Sequence, residues 1–236
     1  MRIIKEALEI MFPKECLICG KISDIRLFDS PLCKKCLTDL VPVPSDKRWQ
    51  LCLSEPFEND PCPSLTLYVP FKYEGRITSL IHRIKFGHKK ELTAVLGTLL
   101  GKCLINDNVS CDAVIPIPLS EQRLSERGFN QAELISSYVS NELNIPLLKD
   151  VLIRSKNTLR QAEIKDNLKR AANMSGAFKF NDEYSIDGLS ILLIDDVATT
   201  GNTLHEAAEV LILNGASKVL CCAFASNRSV KNVESY

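Results

Sequence analysis

Residues 191–203, which read Ile-Leu-Leu-Ile-Asp-Asp-Val-Ala-Thr-Thr-Gly-Asn-Thr, decide the fold of this chain. The four leading apolar residues predict a β-strand that is buried on both faces. Two carboxylates, Asp195 and Asp196, follow this strand and precede a loop of small residues that opens a helical pattern. The N–H groups and hydroxyls of such a loop, with the positive end of the helix, suit a phosphate group. The adjacent carboxylates suit the vicinal hydroxyls of a ribose, which can donate hydrogen bonds to them.

This combination resembles the phosphoribosyl pyrophosphate (PRPP) motif of the type I phosphoribosyltransferases. The resemblance implies that Asp195 and Asp196 are catalytic-site residues and that magnesium accompanies PRPP. It also implies that PRPP is bound by the residues after the acid pair, namely Val197, Ala198, Thr199, Thr200, Gly201, Asn202 and Thr203. The alternative interpretation is an ordinary buried strand followed by a helix N-cap, with two solvated aspartates.

Four of the ten cysteines form two Cys-x-x-Cys pairs near the start of the sequence. Two such pairs supply four thiolates in a tetrahedral arrangement, which is typical of a closed, structural zinc site. The predicted zinc ligands are Cys16, Cys19, Cys33 and Cys36. Two unrelated redox motifs are the alternative, although a thioredoxin-like site needs a single pair between a strand and a helix.

The other six cysteines lie outside this pattern. Those in apolar segments are expected to pack as small hydrophobic side chains; they are Cys103, Cys111, Cys221 and Cys222. Cys52 and Cys62 lie in a stretch rich in proline and lack partners at the spacing of a metal knuckle. They could bind a metal only with ligands from elsewhere in the chain, and their role stays open.

Strand patterns alternate with helical patterns over most of the remaining sequence. Residues 113–117 predict a buried strand, and the apolar positions of residues 77–84 and 92–103 predict two helices. Such alternation predicts an α/β fold with a doubly wound, mostly parallel sheet, and the resemblance implies the type I phosphoribosyltransferase fold. We divide the chain into residues 1–41, an N-terminal helix and zinc-binding module, residues 42–64, a proline-rich linker, and residues 65–236, a phosphoribosyltransferase-like domain.

The charges balance over the whole chain, with 29 basic and 29 acidic residues, but residues 71–170 carry a net charge of +5. An excess of positive charge in this region suits an anionic ligand. No apolar run is long enough to span a bilayer. Acidic residues interrupt the apolar positions of residues 1–12, which predicts a short amphipathic helix rather than a signal peptide. We therefore expect a cytoplasmic protein without membrane insertion.

Two arginines, Arg123 and Arg127, follow the predicted strand 113–117 on one loop or turn. Guanidinium groups match phosphate oxygens, so both arginines, with Lys85 from an upstream basic cluster, are predicted to bind the pyrophosphate of PRPP. A surface charge pair with neighbouring glutamates is the alternative. Residues 154–173 are polar without clear periodicity, which indicates a loop or β-ribbon that either closes over the site or has no role in it.

These segments together resemble the ComF family of bacterial competence proteins. The matching pieces are the two Cys-x-x-Cys pairs, Ile-His-Arg-Ile-Lys-Phe at 81–86, Pro-Ile-Pro-Leu at 116–119, Arg-x-x-x-Arg-Gly-Phe-Asn-Gln at 123–131, and the acid pair with its loop. The resemblance extends over almost the whole chain. It implies a phosphoribosyltransferase-like protein that binds PRPP, carries a structural zinc finger and is linked to natural competence and DNA uptake.

Two functions follow from these observations. The first is a phosphoribosyltransferase that acts on an acceptor the sequence does not identify. The second, which the family resemblance implies, is a competence protein that handles single-stranded DNA and uses its PRPP site for regulation. A competence helicase or other DNA-uptake proteins would then be its partners. Tyr73, Phe86 and Phe129 are candidates for base stacking, although core packing is the expected role for each.

Overall fold

The computed structural model describes residues 15–22, 31–52, 65–154 and 177–227. The predictions made for residues 1–12, for Cys62 and for residues 155–173 lie outside these ranges. The described α-helices are α1 (Lys34–Thr38), α2 (Gly75–Lys85), α3 (Leu92–Asn106), α4 (Glu121–Arg127), α5 (Gln131–Leu143) and α6 (Asn202–Leu213). The described strands are β1 (Trp49–Cys52), β2 (Leu65–Tyr68), β3 (Phe71–Lys72), β4 (Ala113–Pro116), β5 (Leu152–Arg154), β6 (Phe178–Phe180), β7 (Ser190–Ala198) and β8 (Lys218–Ser226).

Six strands form the main sheet, in the order β1-β2-β8-β7-β4, and β3 pairs with β8 beyond the end of β2. All these pairs are parallel except β1 with β2, which is antiparallel at the sheet edge. Helices cover both faces of the sheet, so the predicted doubly wound, mostly parallel α/β fold is confirmed. No helix within the described ranges has the length and apolar character that a bilayer-spanning segment needs.

The central strand β7 explains why the sheet is covered on both sides. Neighbouring side chains of a strand point to opposite faces. Leu192 and Ile194 pack into the cluster formed with α2, α3 and α5, whereas Ile191 and Leu193 pack against α6. All four side chains are fully buried. An uninterrupted apolar run is therefore what this position in the sheet requires.

The predicted linker, residues 42–64, contains strand β1 and is packed against the domain over its described part. The Arg48 side chain is buried and bonds to the carbonyl of Val43 and to the carboxylate of Asp107, at 2.8 and 2.9 Å. The hydroxyl of Tyr68 donates to the same carboxylate at 2.7 Å. Residues 49–52 within this predicted linker form a short edge strand, which periodicity did not indicate because a four-residue strand among prolines gives little periodic signal.

Strands β5 and β6 pair with each other, not with the main sheet, and form an antiparallel two-stranded ribbon. This ribbon departs from the predicted alternation of helices with strands of a single, mostly parallel sheet. Each strand buries one residue, Leu152 and Phe178, against the α6 face of the sheet. Arg154, at the end of β5, bonds to the carbonyl of Pro118, so this end of the ribbon lies beside the loop that follows β4.

Candidate functional site

Both aspartates of the PRPP-like motif lie within strand β7, which continues to Ala198. The acid pair was expected after the strand, but β7 stays paired with β8 here, with Asp195 opposite Ala223 and Val197 opposite Ala225. The side chain of Asp196 acts directly on the Asp195 carboxyl, so the two groups lie close together at this end of the strand. Asp196 is paired with Lys85 of α2, and Asp195 lies within electrostatic reach of both Lys85 and Arg154.

Asp196 is paired with Lys85, the last residue of α2. The Lys85 Nζ atom lies 2.7 Å from Asp196 Oδ2, and the two side chains keep 20% and 12% of their exposure. An ion pair shielded to this degree is stronger than a surface pair, because solvent screens it less. The structure therefore brings Lys85 to the candidate site, where its contact is with the acid pair.

Asp195 is held in an environment that disfavours its negative charge. Burial, followed by the charge of neighbouring Asp196, raises the pKa of the Asp195 carboxyl to about 7. The backbone N–H of Asp196 donates to Asp195 Oδ1 at 2.7 Å, and Lys85 adds a favourable charge, but both effects are smaller. Strongly perturbed carboxyls concentrate at functional sites, so this shift supports a role for the pair in binding or catalysis.

The loop after β7 delivers the N-terminus of α6 to the same edge of the sheet. Gly201 adopts a left-handed backbone with φ of +87°, which a glycine accommodates without steric cost, and it precedes the first helical residue. Thr199 and Thr200 are exposed, and Thr200 Oγ1 accepts a hydrogen bond from the N–H of Asn202 at 3.4 Å. The first turn of α6 holds no acidic residue. The loop therefore presents hydroxyls and a positive helix end, which suits a phosphate group.

Arg123 and Arg127 lie on helix α4, which corrects the prediction of a loop or turn. Ser120 caps the helix by accepting from the N–H of Arg123 at 3.4 Å, and Gly128 ends it with φ of +76°. The short helix carries no buried residue, so it has no apolar face by which periodicity could reveal it. Arg123 is exposed, whereas Arg127 is half-buried and donates to Gln131 Oε1 at 3.1 Å.

Arg154, at the end of β5, is a site residue that the sequence alone did not single out. Its guanidinium lies 5.2 Å from the ring centre of Phe178 and bonds to the carbonyl of Pro118 at 3.4 Å. Burial, followed by the like charge of Arg123, lowers the pKa of Arg154, while Asp195 favours its charge. The like charges of Arg123 and Arg154 lie close to each other, and two neighbouring guanidinium groups suit an anionic ligand.

An exposed aromatic residue lies next to this edge. Phe86, on the turn after α2, is 69% exposed and contacts His82 edge to face, with ring centres 5.5 Å apart. The guanidinium of Arg127 lies 6.0 Å from the ring centre of Phe86. The expectation that Phe86 packs in the core was therefore wrong, whereas Tyr73 and Phe129 are partly buried against the core as expected.

The four predicted zinc ligands converge in a second candidate site. Their sulfur atoms all lie within 4.8 Å of one another, and Cys16, Cys33 and Cys36 are buried. Backbone N–H groups point at the sulfurs: that of Cys36 lies 3.4 Å from Cys33 Sγ. Although burial acts against ionisation, hydrogen bonds from the backbone lower the pKa of the Cys16 thiol to about 6. A closed set of four sulfur donors can hold a metal ion such as zinc.

Comparison with known proteins gives the relationship of this chain to others. It is 30% identical over 207 residues to the DNA utilization protein YhgH of Escherichia coli O157:H7, covering 86% of this chain and 87% of that protein. It is 31% identical over 153 residues to Competence protein F of Haemophilus influenzae, covering 62% of this chain and 66% of that protein. Competence protein ComFC of Bacillus subtilis is 37% identical over 102 residues, covering 43% and 39%. The chain belongs to the ComF family.

Residues 130–236 of this ComF protein match the family model of the phosphoribosyl transferase domain. This match, with the sheet order described above, confirms the phosphoribosyltransferase-like fold. Among solved structures, glutamine PRPP amidotransferase from B. subtilis is similar at 17% identity and a TM-score of 0.43, over 58% of this chain and 26% of that chain. A purine phosphoribosyltransferase from Pyrococcus horikoshii is similar at 16% identity and a TM-score of 0.38, over 59% and 78%.

The predicted site residues of the ComF protein thus fall into two groups. Lys85 pairs with Asp196 near the carboxyl end of β7, and the loop 197–203 continues from that strand into α6. The two arginines flank that edge: Arg123 lies near Arg154, and Arg127 lies near Phe86. The neighbouring Glu126 accepts from Gln122 at 2.9 Å, and within the described residues it forms no ion pair with either arginine.

Proposed function

We propose that this ComF protein binds Mg-PRPP at the carboxyl edge of β7. The observation that carries the proposal is the convergence of an acid pair, a hydroxyl-lined helix N-terminus and a set of basic side chains on one edge of a parallel sheet. Ligands of such sheets occupy the crevice outside the carboxyl ends of the strands. A sugar that bears a phosphate at one end and a diphosphate at the other matches this order of groups.

Each group of residues would contact a different part of the ligand. Thr199, Thr200 and the N–H groups at Gly201, Asn202 and Thr203 would hold the 5′-phosphate. Asp195 and Asp196 would accept hydrogen bonds from the ribose hydroxyls. The pyrophosphate would be neutralised by the basic side chains of Lys85, Arg123 and Arg127. Arg154 would join them, because its guanidinium lies near Arg123 and Asp195. Magnesium would neutralise charge on the pyrophosphate oxygens.

The same residues would favour transfer of the ribosyl group if an acceptor binds. Charge develops on the departing pyrophosphate, and fixed cations around it stabilise that charge without reorganisation. Positioning of the two reactants would supply the rest of the rate enhancement. The described residues do not identify a group that would recognise a purine or a pyrimidine, so the acceptor is left unassigned.

Binding of PRPP is tested by thermal unfolding. Ligand at one hundred times its dissociation constant stabilises the folded state by about 2.7 kcal/mol, so Mg-PRPP should raise the melting temperature of the wild type. Arg123→Gln should weaken binding about 10- to 100-fold, because a charge-assisted hydrogen bond contributes about 1.5–3 kcal/mol. Arg123 is exposed, and the substitution should leave the melting temperature without ligand unchanged.

Lys102→Gln is the control for this experiment, since Lys102 is exposed on α3 and lies outside the site. Binding by this variant should equal that of the wild type. Gly201 is a poorer position for a variant, because any side chain there strains a backbone at φ +87° and stability would fall together with binding. A wild-type melting curve unmoved by millimolar Mg-PRPP would falsify the proposal.

The ComF protein is also proposed to hold a structural zinc ion on Cys16, Cys19, Cys33 and Cys36. The sulfur-only donor set and its tight convergence support zinc. The cluster is part of the larger hydrophobic core, in which buried Leu32 and Leu40 accompany the cysteines. When bound, the metal would hold the N-terminal module folded and would leave no coordination position open for chemistry.

A second candidate function, binding of single-stranded DNA, is supported by the exposed Phe86. An exposed aromatic ring beside basic residues combines a stacking platform with charges for a phosphate backbone. Arg83, Lys89 and Lys90 lie next to Phe86 in sequence, and all three side chains are exposed. The relatives named for competence and DNA utilization fit this function.

DNA binding is tested with fluorescent oligonucleotides over a range of salt concentrations. Charge reversal at Lys89 and Lys90 should weaken DNA binding and spare PRPP. Phe86→Ala should cost about 1–3 kcal/mol of DNA affinity if one base stacks on the ring, whereas Leu213→Ala, at a similarly exposed apolar residue of α6, should cost none. The salt slope should be roughly −0.7 per phosphate contact. If the DNA affinity does not change with salt concentration, with charge reversal at Lys89 and Lys90 or with Phe86→Ala, this surface is not the DNA site.

A further inference from the structure

The cysteine cluster contacts the transferase-like domain through one arginine. Arg76 lies in the first turn of α2, directly after Gly75. Its Nη1 atom lies 3.2 Å from Cys36 Sγ, within hydrogen-bond distance for a sulfur acceptor, and its Nε donates to Asp39 Oδ2 at 2.7 Å. One guanidinium therefore joins a predicted metal ligand to Asp39, the C-cap residue of α1.

The charge of a metal-loaded cluster explains why a cation stands at this position. Four thiolates and one divalent ion carry a net charge of −2, most of it on sulfur. Cys36 is almost completely buried, so water reaches its sulfur poorly and a protein donor must take the place of solvent. Arg76 supplies a charged N–H donor at that sulfur, and its second contact, with Asp39, fixes the direction of the guanidinium plane.

We propose that Arg76 is an outer-sphere partner of the metal held by the four cysteines and that its hydrogen bond to Cys36 strengthens metal retention. The proposal rests on the zinc site put forward above. Groups that bond to metal ligands from outside typically contribute 10- to 100-fold to metal affinity. The exposed Arg76–Asp39 ion pair contributes little by itself, since both side chains keep more than a third of their exposure.

The position of Arg76 on α2 also connects the metal module to the candidate PRPP site. Helix α2 has 11 residues and is thus about 16 Å long, with Arg76 near one end and Lys85 at the other. Its apolar face, which includes Leu80 and Ile81, is fully buried and fixes the helix on the sheet. Loss of the Arg76 contact should therefore weaken the metal site while Lys85 stays beside Asp196.

The test measures zinc affinity of the purified full chain by competition with a chromogenic chelator. Arg76→Met retains much of the side-chain volume and removes the donor, and it should lower zinc affinity by 10- to 100-fold. Arg76→Lys keeps the charge without the two-pronged geometry and should fall between Met and the wild type. Asp39→Asn should have a smaller effect than Arg76→Met. Arg83→Met, at an exposed arginine of the same helix, should match the wild type.

The outcomes separate this inference from the zinc site itself. If the wild type binds no zinc, the proposed site and the role of Arg76 both fail. If the wild type binds zinc and both Arg76 variants bind it equally well, the zinc site stands and the outer-sphere role is overturned. Should Arg76→Met fail to fold, the Arg76→Lys variant decides the question. The thermal shift with Mg-PRPP should persist in every folded variant, because Arg76 lies at the far end of α2.

Discussion

Cys33→Ser is expected to abolish zinc binding and to unfold the described N-terminal segments, residues 15–22 and 31–40. The substitution separates two roles of this residue. Cys33 is both a predicted metal ligand and the N-cap of α1, where its side chain accepts from the N–H of Cys36. Serine is among the best N-cap residues, so the cap should survive while the sulfur ligand is lost.

The effect should be large because metal binding and folding are coupled in small sites of this kind. Apparent binding free energies of structural zinc reach about 10–16 kcal/mol in finger peptides, and that energy is available only in the folded state. Metal analysis of reduced, chelator-free protein should give one zinc per wild-type chain and none for Cys33→Ser. Hydrogen exchange should show faster exchange of the amides of residues 31–40 in the variant.

Cys111→Ser is the matched control, since Cys111 is partly buried against the core and lies outside the cluster. This variant should keep its zinc and its exchange pattern in residues 31–40. Zinc-free wild-type protein with protected amides in that segment would contradict the prediction, since it would show that packing of Leu32 and Leu40 alone holds the module.

The parts of the fold that the sequence predicts well are those with local signals. Residues 191–194 are all apolar because β7 lies between two strands and is covered by helices on both faces. A continuous apolar run in the sequence therefore indicates this buried strand directly. The cysteine pairs are equally local, because two residues between ligands place both sulfurs on one turn. The helices α2 and α3 follow from apolar residues at helical spacing.

The parts of the fold that the sequence predicts poorly are those that depend on strand pairing and those that bury no apolar face. Helix α4 buries nothing, so only its caps, Ser120 and Gly128, could have indicated it. The ribbon β5–β6 has ordinary strand signals, but periodicity does not tell which strand a residue pairs with. Strand β1 is held at the sheet edge by a tertiary network around Arg48, which no short window of sequence contains.

The candidate site shows the same division. The acid pair and the loop of this site are contiguous in the sequence, so they can be recognised there as one motif. The pairing of Lys85 with Asp196 and the approach of Arg154 to Asp195 join distant segments, and only the packed fold brings them together. The sequence predicts that Lys85 binds the pyrophosphate, whereas in the structure Lys85 is paired with Asp196. The pyrophosphate would therefore either compete with the Asp196 carboxylate for Lys85 or bind while this ion pair stays intact.

Asp195→Asn is expected to stabilise the ligand-free protein and to abolish most PRPP binding. Burial and the neighbouring charge of Asp196 raise the pKa of the Asp195 carboxyl to about 7, far above its ordinary value of 3.8. At a pH above 7 the wild type must therefore hold an ionised group in a site that disfavours it. The neutral amide removes this cost, and each pKa unit corresponds to about 1.4 kcal/mol. We expect the free energy of unfolding at pH 8 to rise by about 1–3 kcal/mol.

The pH dependence gives this prediction its sign. Between pH 4 and pH 7 the folded state binds the Asp195 proton more tightly than the unfolded chain does, so the contribution of this group to stability falls as the pH rises and levels off above about 7. The difference in stability between Asp195→Asn and the wild type should therefore be small near pH 4 and largest above pH 7. Asp182→Asn, at an exposed aspartate, should stay within about 0.5 kcal/mol of the wild type at every pH.

Ligand binding should respond in the opposite direction. The ribose hydroxyls donate hydrogen bonds, which the ionised carboxylate accepts better than an amide does, so the PRPP affinity of the wild type should rise with pH up to about 7. Asp195→Asn should lose most of this affinity and its pH dependence while it melts at a higher temperature, the exchange of stability for function that active sites commonly show. Chemical denaturation and PRPP titration at pH 5, 6, 7 and 8 measure both quantities. A variant that is less stable than the wild type at pH 8, or one that binds PRPP as tightly, would show that Asp195 is a structural carboxyl with no contact to the ligand.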